Sequence, residues 1–156
     1  MLLTVVDYGV GNLRSIAKSI ENANSENNLN YSVKVSSNVN DVKKSDKIVL
    51  PGQGSFKACK NGINNIKGLQ EELNESVLVK KKPIYGICAG MQLFATQGHE
   101  EETTLGLNWI PGEVNRLDLG PANLKIPHMG WNELKIENSS KVFKDINNKN
   151  HAYFIH

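Results

Sequence analysis

Cys88 stands in Gly86-Ile87-Cys88-Ala89-Gly90, with a glycine two residues away on either side. The surrounding run from Pro83 to Leu93 reads as a short buried strand, a sharp turn and the start of a helix. A nucleophile framed by glycines at a strand-to-helix turn is how hydrolases lift a reactive side chain above a sheet, cysteine here taking the place of serine. The turn is strained, and a side chain at Gly86 or Gly90 would crowd it. The helix that follows aims unpaired N–H groups and its positive dipole end at the thiol, which favours the reactive thiolate. A free cysteine is ordinarily buried packing. The glycine frame is what moves Cys88 from packing to chemistry. Cys59 has no such frame, no adjacent histidine and no second cysteine at metal spacing, so it reads as packing.

A nucleophile that attacks a carbonyl needs donors for the developing oxyanion. Pro51-Gly52-Gln53-Gly54-Ser55-Phe56 follows a buried apolar run, Asp46 to Leu50, and offers exposed backbone N–H groups where open α/β sheets place their ligands. A simple tight turn would have the same composition. Upstream, Leu2 to Val6 is an apolar run that ends at Asp7-Tyr8-Gly9-Val10-Gly11-Asn12. Leu13, Ile16, Ala17 and Ile20 then recur at helical spacing, with Asn12 as N-cap. A dinucleotide fingerprint would need a third glycine where Arg14 stands, so nucleotide binding is discounted.

The remaining elements follow from pattern. Asn22 to Asn30 reads as a surface loop, Tyr31 to Val35 as a strand, and Ile63 to Val77 as helical. Met91, Leu93 and Phe94 belong to the helix after Cys88, and Gly98 to Glu102 to a polar loop. Leu105 to Val114 suggests a turn and a strand. Asn123 to Asn132 is a packed turn or a functional loop, and His151 to His156 is a strand. Strands alternating with helices predict an α/β fold: three layers around a largely parallel central sheet.

Composition bounds the function. The 156 residues suit one domain, with 39% hydrophobic residues, 22% charged residues and a net charge of +2. Lys80-Lys81-Lys82 is the one basic run and reads as a solvated loop, so no nucleic acid is expected. No apolar run approaches the roughly 20 residues that cross a bilayer, and no membrane association is expected. The start lacks a basic segment with a small-residue cleavage site, and two dissimilar cysteines make no disulfide framework, which points to the cytoplasm.

Five segments in order carry a family resemblance. They are Asp7 to Leu13, Pro51 to Phe56, Gly86 to Gln92, Pro127-His128-Met129-Gly130-Trp131-Asn132 and Tyr153-Phe154-Ile155-His156. Together they resemble the class I (triad) glutamine amidotransferases, of flavodoxin-like architecture, and within them the glutaminase subunits of imidazole glycerol phosphate synthase. The resemblance covers residues 1–156 as one amidotransferase domain. It implies that Cys88 attacks the carboxamide of glutamine and releases ammonia through a glutamyl thioester. The Gly52–Gln53 peptide and the Ala89 N–H would form the oxyanion hole, and Gln92 and Glu100 would hold the amino-acid end of glutamine. It further implies a heterodimer with a (β/α)8-barrel synthase (cyclase) subunit of histidine biosynthesis, faced by Asn12, His128 and Trp131. No metal or organic cofactor is expected.

Two departures stand out. The family completes its triad with a histidine and a glutamate in a His-Pro-Glu segment some tens of residues beyond the motif that reaches His156. None of His99, His128, His151 and His156 is followed two residues later by glutamate. A chain continuing past His156 is therefore expected, and a non-catalytic synthase-binding subunit is the alternative, as is a related amidotransferase feeding another synthase. Gln53 also stands where relatives more often carry a small apolar residue.

Overall fold

A computed structural model describes residues 1–120, 125–137 and 140–155, so Asn123 and His156 of the expected segments lie outside the described residues. The chain forms two compact units, Met1–Arg116 and Leu117–His156.

In the first unit the apolar runs become strands β1 (Leu2–Val6), β2 (Ser32–Ser36), β3 (Lys47–Leu50) and β4 (Ile84–Gly86). They form one all-parallel sheet in the order β2-β1-β3-β4. Parallel strands need crossovers, and helices α1 (Leu13–Glu26), α2 (Val39–Lys44), α3 (Phe56–Asn64) and α4 (Leu69–Asn74) supply them. This is the flavodoxin-like order, in which the chain reverses direction across the sheet beside β1 and β3. Val5, Val6, Ile48 and Leu50 of the strands and Phe56, Ile63, Leu69 and Leu73 of the helices are almost wholly buried. Buried on both faces, such strands read as continuous apolar runs rather than alternating ones.

Three helix boundaries differ from those expected. The loop expected from Asn22 begins only at Asn27, because α1 runs to Glu26. Asn24 explains part of this: its side chain bonds both ways with the Tyr31 backbone, giving helix end and strand start a shared anchor. The helical stretch expected from Ile63 to Val77 is interrupted: α3 ends at Asn64, and Gly68, at φ +82°, starts α4 anew. A π-turn over Glu75–Val79 then continues α4. The helix expected to carry Met91, Leu93 and Phe94 is a single turn, α5 (Ala89–Gln92). It stops there because the Leu93 and Phe94 carbonyls are taken by the N–H groups of Leu107, Trp109 and Ile110.

The polar loop expected at Gly98–Glu102 is in part a strand. β5 (Gln97–His99) pairs antiparallel with β6 (Thr103–Leu105) and parallel with β7 (Glu113–Val114). Gly98 is buried, and a Cβ there would lie 2.7 Å from the Phe56 ring, so the polar flanks surround one packed position.

In the second unit β8 (Met129–Glu133) and β9 (His151–Ile155) form an antiparallel pair with Trp131 opposite Tyr153. Their rings meet edge to face at 5.6 Å, a favoured aromatic arrangement.

Candidate active site

Leu50 of β3 lies opposite Gly86 of β4, so both strands end at one level. The loops that follow them, Pro51–Ser55 and Ile87–Gly90, therefore leave the sheet side by side. The Ile87 N–H donates to the Leu50 carbonyl at 3.0 Å and ties the two together.

Cys88 takes φ +53° and ψ −125°, in the left-handed half of backbone space that a non-glycine residue rarely enters. The flanking glycines explain how the turn fits. A Cβ on Gly90 would lie 2.2 Å from the Leu50 carbonyl oxygen, and one on Gly86 2.5 Å from the Met91 Cα. The thiol is unpaired and its residue exposed, whereas Cys59 is buried. Because α5 is one turn long, its dipole contributes less at the thiol than the longer helix expected from sequence would.

Gly52 packs directly beneath this turn. A Cβ there would fall 2.0 Å from the Gly90 N and 2.6 Å from the Ala89 carbonyl carbon. The N–H groups of Gly90, Met91 and Gln92 turn back to the carbonyls of Ile87 and Cys88. Among the described residues the Ala89 N–H and the Gln53 N–H have no hydrogen-bond partner. The contact thus sets the loop bearing the Gln53 N–H against the turn that carries Cys88 and the Ala89 N–H, donors of the kind an oxyanion hole uses.

The loop after β1 supports the same place. Gly11, at φ +97°, sits so close to Pro51 that a Cβ would be 3.0 Å from the Pro51 Cβ. The Tyr8 hydroxyl donates to the Pro51 carbonyl, and Asn12 caps α1 by accepting from the Ser15 N–H at 3.3 Å. Gly11 serves close packing at the point where the strand order reverses.

Glu100 is brought back to the start of α3, where its Oε2 accepts from the Phe56 N–H at 3.0 Å. That helix begins one residue after the Pro51–Ser55 loop, so the carboxylate stands at the loop's far end. Neighbouring Glu102 pairs with Lys57 at 2.9 Å. Gln92 closes the single turn that Cys88 opens, its N–H on the Cys88 carbonyl at 3.1 Å. Asn12 belongs to the first unit, and His128 and Trp131 to the second, with Trp131 71% exposed.

His99 is the one histidine of the first unit's sequence, and its contacts lie away from Cys88. His99 is engaged by Thr103 at 3.0 Å, Gln97 at 3.2 Å and the Glu113 carboxylate at 3.4 Å. His151 lies 3.8 Å from Glu133.

Sequence reasoning passed over Tyr8 and did not see a role for Cys59 beyond packing. The Cys59 thiol donates to the Gln53 carbonyl at 3.5 Å. The signal lay in spacing: Ser55 is the N-cap of α3, and a residue four positions into the chain from the cap returns to the loop's side of the helix. Burial pushes the Tyr8 hydroxyl well above the usual tyrosine range and raises the Cys59 thiol, so both keep their protons.

The profile of the glutamine amidotransferase class-I family matches residues 4–156. The imidazole glycerol phosphate synthase subunit HisH of Pelagibacter ubique is 46% identical over 156 residues, spanning 100% of this chain and 74% of its own length. Subunits of the same name from Ruegeria pomeroyi and Cereibacter sphaeroides are 44% and 43% identical, again over 100% of this chain and 73% of theirs. With a cysteine elbow above a parallel sheet and a match along nearly its whole length, this chain belongs to the class-I glutamine amidotransferase family.

Proposed function

We propose that residues 1–156 act as one amidotransferase domain, the glutaminase subunit of an imidazole glycerol phosphate synthase that works in the cytoplasm in histidine biosynthesis. The single observation that carries the reading is the Cys88 turn packed on Gly52, which sets the turn bearing the exposed thiol and the unpaired Ala89 N–H against the loop bearing the unpaired Gln53 N–H. Cys88 Sγ adds to the side-chain carboxamide carbon of glutamine, and the former carbonyl oxygen becomes an oxyanion held by the Gln53 and Ala89 N–H groups. Collapse breaks the C–N bond, and the nitrogen leaves as ammonia carrying the proton that the Cys88 thiol gave up on attack. Water then adds to the thioester, releasing glutamate and regenerating the thiol. Gln92 and Glu100 hold the amino-acid end of the substrate, the Glu100 carboxylate suiting its ammonium group. No described histidine is assigned as the base.

The ammonia passes to a (β/α)8-barrel synthase subunit, which Asn12, His128 and Trp131 face in a heterodimer. An exposed tryptophan beside a tyrosine is the kind of side chain that anchors a protein interface. Two free thiols fit a reducing compartment.

The test is glutamine hydrolysis by the full chain with its synthase partner. Cys88→Ala should lower ammonia release by about 10⁴–10⁶ while leaving the complex intact on a sizing column. Cys88 should also outpace Cys59 in alkylation by iodoacetamide. Ammonia release that survives the substitution would refute the reading.

A further inference from the structure

The segment Pro51–Gly54 contains three peptide planes, and they are treated differently. The Pro51 carbonyl, in the first, accepts from the Tyr8 hydroxyl. The Gln53 carbonyl, in the third, accepts from the Cys59 thiol at 3.5 Å. The middle plane, made of the Gly52 carbonyl and the Gln53 N–H, has no hydrogen bond among the described residues. Two side-chain donors thus hold the carbonyls of the planes on either side of the unbonded one.

Both donors rest on one support. Cys59 lies on α3 and is fully buried. Tyr8 is pressed against the same helix, where a Cβ on Gly62 would lie 2.5 Å from the Tyr8 carbonyl oxygen and 2.8 Å from its ring. The two side chains are neighbours, and each alters the other's proton affinity.

We propose that Tyr8 and Cys59 are positioning residues for the oxyanion loop: they pin the flanking carbonyls so that the Gly52–Gln53 peptide alone is left to meet the substrate. Neither touches the reacting atoms. Burial holds both in their protonated, donating forms across the working pH range. A phenylalanine and an alanine would fill much of the same space, so packing by itself does not account for two donors aimed at these two carbonyls. Glycines at positions 52 and 54 leave the loop without side chains to fix it, which is why the holding must come from outside.

The inference rests on the glutaminase reading, and the experiment separates the two. Tyr8→Phe, Cys59→Ala, Cys59→Ser and the wild type are compared as full chains with the synthase partner. The measurements are kcat and KM for glutamine and the rate of iodoacetamide alkylation at Cys88. Alkylation displaces iodide and builds no oxyanion, so it reports the elbow but not the hole. Tyr8→Phe and Cys59→Ala should each lower kcat about 3–10-fold, the effect of one net hydrogen bond on the barrier. KM and the alkylation rate should stay within about twofold of wild type, as for a loss felt only in the transition state. Cys59→Ser, which keeps a donor, should retain more activity than Cys59→Ala. An active wild type with both single variants unchanged overturns the positioning role alone. A fall in kcat matched by the alkylation rate or by the melting midpoint also overturns it, because the defect would then be general. Should Cys59→Ala fail to fold, Tyr8→Phe decides. A wild-type complex that releases no ammonia removes the glutaminase reading and this inference with it.

Discussion

Gly52→Ala is the most direct test of the loop-on-elbow contact. The new Cβ would stand 2.0 Å from the Gly90 N, 2.6 Å from the Ala89 carbonyl carbon and 2.9 Å from the Ala89 Cβ. Two of these are backbone atoms of the turn that holds Cys88, so no side chain can swing aside. Taking 3.4 Å as the near edge of ordinary contact, the loop and the turn must separate by about 1.4 Å. Overpacking of this kind costs roughly 1–3 kcal/mol of stability. A misplacement of about 1 Å in a catalytic constellation can cost 10²-fold in rate, and a lost oxyanion donor about 10²–10³. The expected result is a fall of at least about 10² in kcat for glutamine, with a melting midpoint lowered but a folded chain. Gly54→Ala is the control. A Cβ there meets nothing within 4 Å, although φ is +89°, so it strains the loop without pushing on the elbow. Steady-state ammonia release and thermal melts of both variants, with the synthase partner present, decide the matter. If Gly52→Ala keeps kcat within about threefold of wild type, the two loops do not form one oxyanion site.

Other consequences are open to measurement. Glu100→Gln keeps an oxygen for the Phe56 N–H but loses the charge, so KM for glutamine should rise about tenfold with helix α3 intact by circular dichroism. Asn74→Ala leaves the Trp109 indole N–H, which donates to Asn74 at 2.7 Å, without its partner, and urea unfolding should show a loss of about 1–3 kcal/mol. Asp41 is held below the usual carboxylate range, first by its hydrogen bond to Lys34 and then by Ser36. A carboxylate with a lowered folded pKa stabilises the protein above its unfolded pKa and loses that contribution as pH falls through the folded value. Asp41→Asn should therefore reduce the drop in stability between neutral and acid pH, read from melts across that range.

The chain's own sequence determined the parallel strands and the elbow. Val5, Val6, Ile48 and Leu50 sit in apolar runs because the central strands β1 and β3 are buried, and such runs are visible without coordinates. Gly86 and Gly90 announce a turn too tight for side chains, and Cys88 at φ +53° is that turn. Asn12 as a cap is equally local, since its acceptor serves an N–H three residues away. Tertiary structure decided what distance along the chain conceals. Gly98 looks like part of a polar loop because its neighbours are polar, yet Phe56, more than forty positions earlier, makes it a buried strand residue. Glu100 reads as one acid among three until folding sets it on the Phe56 N–H. The Gly9–Gly11 loop resembles a phosphate cradle in one dimension, and only its contact with Pro51 reveals a buttress. Local pattern records what each residue can do with its nearest neighbours in sequence. The partners of Tyr8 and Gly52 come from parallel crossovers that join strands far apart in the chain, and that information resides in the packing.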